Sequence, residues 1–188
     1  GMVIACGDSH TGTLGAFGTF ALGVGSTAQA GAMLAQVLVL QRPKVMKIEI
    51  TGELAADVTA KDLILTIIKT IGFKGGTGYA LEYMGPAISK LSMDGRMTVC
   101  NMAIEAGATA GVIAPDDKTA AYLAETTLKP TNWTALQADP DAEYDRVVTI
   151  DGASVRPVVT WGTNPGENSS IDGSVPADAN AQSLEYMN

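Results

Sequence analysis

A single histidine, His10, and two cysteines, Cys6 and Cys100, are all that the 188-residue sequence holds of these soft metal-ligand types. A zinc site needs several spaced Cys and His ligands, and these three residues alone do not make one. A small secreted domain stapled by several disulfides is excluded for the same reason, although one bridge stays open. Positive charge is also scarce: twelve Lys and Arg stand against twenty Asp and Glu, giving a net charge of −8 and a pI near 4.5. A polyanion such as DNA or RNA therefore meets net repulsion, no basic cluster offsets it, and nucleic acid is excluded as a partner. Long apolar runs are missing too. The longest, Gly31 to Leu40, is too short to cross a bilayer and carries Gln36, so no transmembrane helix is expected. The opening GMVIACGDSHTG lacks the basic start and long apolar stretch of a secretory signal, and Gly1-Met2 reads as a scar ahead of an internal segment. What is present, 46% hydrophobic and 17% charged residues, is globular composition for one generous domain or one plus pieces.

Along the chain, a Gly-rich opening from Gly7 to Gly25 leads into an Ala-rich helix over Ala28 to Leu40 that Pro43 stops. Val45 to Ile50 alternates as a strand does. Thr59 with Asp62 three residues on forms a capping signal, and Ile64, Ile67, Ile68 and Ile71 then repeat at helical spacing up to a left-handed cap at Gly72. Tyr79 to Tyr83 reads as a strand ended by Gly85-Pro86, Met97 to Ala106 as a helix closed by Gly107, and Thr109 to Ala114 as a second buried strand. A short helix follows over Asp116 to Thr126, and then a loop over Pro130 to Pro140 that holds Trp133. The β-branched runs Arg146 to Ile150 and Val155 to Thr160 flank an Asp151-Gly152 turn, and from Gly162 onward turn formers dominate, as in a linker. Strands alternating with helices over Val45 to Ala114 imply an α/β architecture with a largely parallel or mixed sheet.

Three constellations are candidates for chemistry. In Cys6-Gly-Asp-Ser-His-Thr11 an acid, a hydroxyl and an imidazole share one Gly-flanked loop, the kind of element that presents side chains. A Gly-Asp-Ser start is also found in esterases with a serine nucleophile. Here the only histidine directly follows Ser9 and does not readily fold back to take its proton, which disfavours a self-contained serine hydrolase. The plainer reading is that Asp8 and Ser9 bond to local backbone in a turn. Gly23-Val-Gly25-Ser-Thr-Ala28 resembles a dinucleotide-binding turn. The preceding Gly15 to Leu22 holds two glycines and no Val or Ile, so a close-packed helix entrance competes with a nucleotide-binding module. In Arg96-Met-Thr-Val-Cys-Asn101-Met-Ala-Ile-Glu105, Asn101 and Glu105 stand four apart and share a face of the expected helix. Their neighbours are nearly all apolar, so a polar pair within them needs a reason, whereas Cys100 reads as a packed thiol.

In one order the sequence holds GDSHT, GAFG, GGTG, LSMDGRMTVCNMAIEAGA and VTWGTNPG. Together they resemble the aconitase superfamily, and within it the large subunits of the isopropylmalate dehydratase branch, over almost the whole chain. The resemblance implies a three-layer aconitase-type α/β domain over residues 46–160. Residues 1–45 are then the end of a neighbouring α/β domain, and 161–188 a linker toward an absent cluster-binding domain. It implies a cytoplasmic hydro-lyase that interconverts 2- and 3-isopropylmalate by dehydration and rehydration on a [4Fe-4S] cluster, in leucine biosynthesis. By the match, Asp8 is an acid that pairs with a histidine upstream, Ser9 hydrogen-bonds substrate and His10 helps position an iron-bound water or hydroxyl. Glu105 matches the carboxylate paired with His10, and Asn101 an amide beside the cluster. The departures are informative as well. The family's cluster cysteines and substrate-binding arginines are absent, so Cys6 and Cys100 are not metal ligands, the chain alone is expected to be inactive, and a small subunit with a swivelling domain is the implied partner. Thr13 stands where aconitase proper has an asparagine, whereas Ala28, Ala30 and Gly31 replace polar residues common in bacterial isopropylmalate enzymes. The hydroxy dicarboxylate stays open among isopropylmalate, homoaconitate and methylated malates. Faces that missing domains would cover expose apolar area and favour self-association.

Overall fold

The computed structural model describes residues 1–126 and 136–187, so Trp133 and part of the loop expected around it lie outside the described residues. The class is α/β, as expected. Its centre is a four-stranded sheet in the order β5-β4-β3-β6, formed by β3 (Lys44–Thr51), β4 (Tyr79–Met84), β5 (Ala110–Ile113) and β6 (Arg146–Asp151). Every pairing in it is parallel, with Ile48 opposite Tyr83 on one side and Val148 on the other. Parallel neighbours need crossover connections, and the helices supply them.

Alternation along β3 puts Met46, Ile48 and Ile50 into the core, where they meet Leu81 and Tyr83 of β4. Helix α2 (Ala60–Ile71) covers this face with Leu63, Ile64, Ile67 and Ile68. It begins where the sequence signal lies: the Thr59 hydroxyl accepts from the Asp62 amide, and Asp62 accepts back from the Thr59 amide at 2.8 Å. Such a box satisfies two amides that have no partner inside the helix. Gly72 ends it with a φ of 94° but a ψ of 150°, so the cap uses glycine's freedom without being left-handed helical.

The short α3 (Pro86–Lys90) precedes α4 (Met93–Asn101), and α5 (Asp117–Ala124) follows β5. Arg96 of α4 has no exposed surface, and it donates to both carboxylate oxygens of Asp116, the residue that caps α5. The fork geometry of guanidinium and carboxylate suits this pairing, which ties α4 to the turn after β5.

Ahead of the main sheet, β1 (Val3–Cys6) pairs in parallel with β2 (Phe20–Gly23). The segment Phe20 to Leu22 was not expected to be a strand for want of β-branched residues, and it forms one because a partner strand, not propensity, decides. Between them runs a 3-10 segment, Ser9–Phe17, which packs on α4 and β5. A Cβ at Gly15 would fall 1.7 Å from the Gly111 carbonyl oxygen, so this contact requires glycine. Helix α1 (Ser26–Ala35) follows β2 and stops at Gln36, well before the expected Leu40. At the other end, β6 and β7 (Val158–Thr160) do not pair with each other. Instead β7 pairs antiparallel with β8 (Asn168–Ser170), inside the stretch whose composition reads as linker, and α6 (Ala181–Glu185) follows. Asn168 explains why that stretch is ordered against the domain: its side chain donates to the Leu65 carbonyl, and its own carbonyl accepts from Lys69 Nζ.

Candidate active site

The loop after β1 carries three of the candidate residues, Asp8, Ser9 and His10. Asp8 caps the 3-10 segment: its Oδ1 accepts the His10 amide at 2.6 Å, and its carbonyl accepts the Thr11 hydroxyl at 2.6 Å. This is the local-turn role that an Asp in such a loop performs. Ser9 Oγ lies 3.1 Å from His10 Nδ1. The expectation that His10 does not fold back onto Ser9 is therefore corrected; the backbone departs from helical geometry at His10, with a φ of −95° and a ψ of 20°. On the other side of the ring, His10 Nε2 lies 3.2 Å from Glu105 Oε1, a residue 95 positions away. Ring and carboxylate are 40% and 41% exposed, so the pair faces solvent.

Glu105 is not on the helix predicted for it. Helix α4 starts at Met93, capped by the Ser92 hydroxyl, and Asn101 is its last residue. Glu105 belongs to a separate 3-10 turn, Ile104–Ala106, that Gly107 closes with a φ of 79°. The shared-face argument for Asn101 and Glu105 thus fails as helix geometry, because the four-residue spacing crosses the end of α4. Both side chains nevertheless reach the same segment. Asn101 Nδ2 donates to Thr13 Oγ1 at 2.8 Å, and Thr13 Oγ1 donates to the His10 carbonyl at 2.7 Å. Asn101 thereby holds the backbone of His10, whereas Glu105 holds its ring. Thr13 is the site residue that sequence reasoning did not single out for contact; its place three residues after His10 in a 3-10 segment is the signal.

One of the two glycines in the Gly23-to-Ala28 turn fixes the approach of neighbouring chain. A Cβ at Gly23 would sit 2.8 Å from the Asp8 carbonyl oxygen and 2.9 Å from Ser9 Cα, whereas one at Gly25 would meet nothing within 4 Å. Close packing against the site loop accounts for Gly23 of the Gly23-to-Ala28 turn.

Among the described residues no group of three or more His, Cys, Asp or Glu side chains converges to hold a metal ion. Cys6 is exposed and Cys100 buried, both as free thiols. Burial pushes the Cys100 thiol far up against the opposing pull of Arg96, so it is not a ready thiolate ligand. An iron-sulfur cluster is not held by this donor set.

The aconitase family model, described as aconitate hydratase, matches residues 1–187. The chain belongs to the aconitase family. It is 50% identical over 188 residues to a protein of Natronomonas pharaonis named 3-isopropylmalate dehydratase large subunit, and 50% identical to the protein of that name in Haloferax volcanii. Each match covers 94% of this chain and 40% of the relative. A Halorubrum lacusprofundi protein of the same name is 49% identical, with 94% and 39% covered. The chain thus spans about 40% of the length of the curated relatives it matches. No helix among the described residues is long and apolar enough to cross a membrane.

Proposed function

We propose that the whole protein is a cytoplasmic hydro-lyase that interconverts 2-isopropylmalate and 3-isopropylmalate by dehydration and rehydration. The observation that carries this reading is the pairing of His10 with Glu105 across two separate elements, at positions matching a family whose similar members bear that dehydratase name. Asp8 shapes the loop, Ser9 offers a hydroxyl to the substrate, and His10 helps position the water or hydroxyl that is lost and regained. Glu105 orients the ring, and Asn101 acts through Thr13 on the loop backbone. Residues 1–45 are read as the end of a neighbouring domain, 46–160 as the central domain and 161–188 as the link to a further one. A [4Fe-4S] cluster and a small subunit belong to the reading as well, with the cluster ligands outside residues 1–188. Homoaconitate and methylated malates are the competing substrates.

The test uses the whole protein combined with its small subunit, with turnover of 2-isopropylmalate followed by product analysis. His10→Ala is expected to lower kcat by about 10²- to 10⁴-fold, the usual worth of a positioned acid or base. Absence of isopropylmalate turnover, or full activity in His10→Ala, overturns the reading. Residues 1–188 alone are expected to show neither turnover nor the iron content and visible absorption of a cluster; a stoichiometric cluster in the purified chain contradicts that expectation.

A further inference from the structure

The hydrogen bonds around His10 have a direction. An ionised carboxylate only accepts, so Glu105 Oε1, 3.2 Å from Nε2, requires hydrogen on that nitrogen. In the neutral ring the lone pair then sits on Nδ1, and the Ser9 hydroxyl, 3.1 Å away, donates to it. When the ring takes up a second proton, Nδ1 becomes a donor. Ser9 Oγ must now accept, and its hydrogen is released from the ring. Ser9 is exposed, so the released hydrogen is available to an acceptor on the solvent side.

We propose that Glu105 and His10 are a positioning pair that makes Ser9 a donor to an anionic oxygen, of the carboxylate class, when the imidazole is protonated. The proposal rests on the reading of Ser9 as the substrate-binding hydroxyl and adds what controls it. The surrounding charges support the coupling. Asp8 stands on the same loop with its carboxylate on the His10 amide, and Glu105 comes from the turn after α4. The other packed elements bring neutral groups: Asn101 of α4 on Thr13, Gly23 of β2 against Asp8 and Ser9, Gln29 of α1 beside Gly7, and Gly111 and Val112 of β5 against Gly15. A carboxylate entering beside Asp8 and Glu105 meets repulsion, and the imidazolium is the cation that offsets it.

His10 is the sole histidine, so its ring gives the only imidazole signals of the chain in 15N-resolved NMR. The neutral ring is expected to carry hydrogen on Nε2, with Glu105→Ala mixing the tautomers and Glu105→Asp preserving the preference. Sodium malate, a hydroxy dicarboxylate probe, is expected to raise the midpoint of the His10 titration by about 0.5 pH unit. That corresponds to roughly threefold tighter binding to the protonated form. In Ser9→Ala the malate shift is expected to vanish while the amide spectrum stays that of a folded chain. A neutral ring with hydrogen on Nδ1, no malate shift in the unaltered chain, or an equal shift in Ser9→Ala overturns the proposal. None of these readouts needs turnover, so an active whole protein without the coupling sinks this inference alone. Coupling without isopropylmalate turnover sinks the functional reading alone.

Discussion

Helices α1 and α2 have ten and twelve residues and are about equally apolar in composition, yet they end up in opposite environments. Helix α2 buries Leu63, Ile64, Leu65, Ile67, Ile68 and Ile71. Helix α1 buries none of its residues, and Leu34 and, beyond its end, Val39 stay 89% and 91% exposed. Two things separate them. The apolar residues of α2 gather on one face, whereas those of α1 are spread around it, and α2 has a four-stranded sheet to cover while α1 follows a two-stranded one. Strand β1 is open as well, with Val3 largely exposed. Parallel strands are ordinarily covered on both faces. The region around α2 is a finished core and the region around α1 is part of one, which agrees with the proposal that residues 1–45 end a domain whose remainder lies outside this chain.

The sharpest way to break the finished region is through its charged anchor. Asp116→Ala leaves the Arg96 guanidinium, which has no exposed surface, without its carboxylate and removes the cap of α5. Stranding a buried charge costs about 3–5 kcal/mol, so a denaturant midpoint measured at pH 7 should fall by more than for any other substitution named here. The same pair gives stability a pH dependence. Hydrogen bonds from Arg96 pull the Asp116 carboxyl down to about 2, from an ordinary 3.8. A depressed folded-state value means that the contribution is fully present above the ordinary value and is lost as pH falls from about 4 through about 2. Urea titrations across that window should show the slope in the unaltered chain, and Asp116→Ala should flatten it.

Next in size is Ile67→Ala in the middle of α2, where a fully buried side chain would leave a cavity, at about 2–5 kcal/mol. Thr59→Ala should cost about 1 kcal/mol, because it removes the hydroxyl that receives the Asp62 amide. The Asp62 carboxyl gives a second check on that cap. Burial pushes it up, but the Thr59 hydroxyl and amide and the Val158 amide outweigh this and hold it below its ordinary range. Thr59→Ala should therefore raise the Asp62 titration midpoint seen by NMR, and an unchanged midpoint would mean that the hydroxyl is not the main restraint.

How far the sequence disclosed these regions follows from the same contrast. Helix α2, its cap and strands β3 to β5 were legible because their signals are local and periodic: a Thr and an Asp three apart, isoleucines at helical spacing, alternation along β3. The motif resemblance named residues that the structure places in contact, Ser9 and Glu105 on either side of the His10 ring, but it did not disclose the geometry. The break between Asn101 and Glu105 has no local signal, since Met102, Ala103 and Ile104 suit a helix well. The break falls at Met102, the C-cap of α4, and Glu105 lies beyond it in the separate turn that Gly107 closes. Nor did spacing show the Ser9–His10 contact, because it depends on the non-helical backbone at His10 just after the Asp8 cap. The early stop of α1 has a local mark that its alanines obscured: Gln36 takes a left-handed φ of 57°, and the β-branched Val37 and Val39 that follow disfavour helix.

The smallest expected change in stability tests the unfinished region. Substituting Leu34→Ser and Val39→Ser together should move the unfolding free energy by within about 0.5 kcal/mol, because exposed side chains with no buried contact have little to lose. The effect should appear instead in association, since contiguous exposed apolar groups drive contacts between molecules. Sedimentation of the chain over a concentration series should show weaker self-association in the doubly substituted form. A large loss of stability on this substitution would mean that α1 already has a partner within the chain, and the contrast with α2 would collapse. Unchanged stability with reduced association would leave α1 as a surface that needs covering, and fusing the adjoining stretch of the whole protein should then protect its backbone amides from exchange.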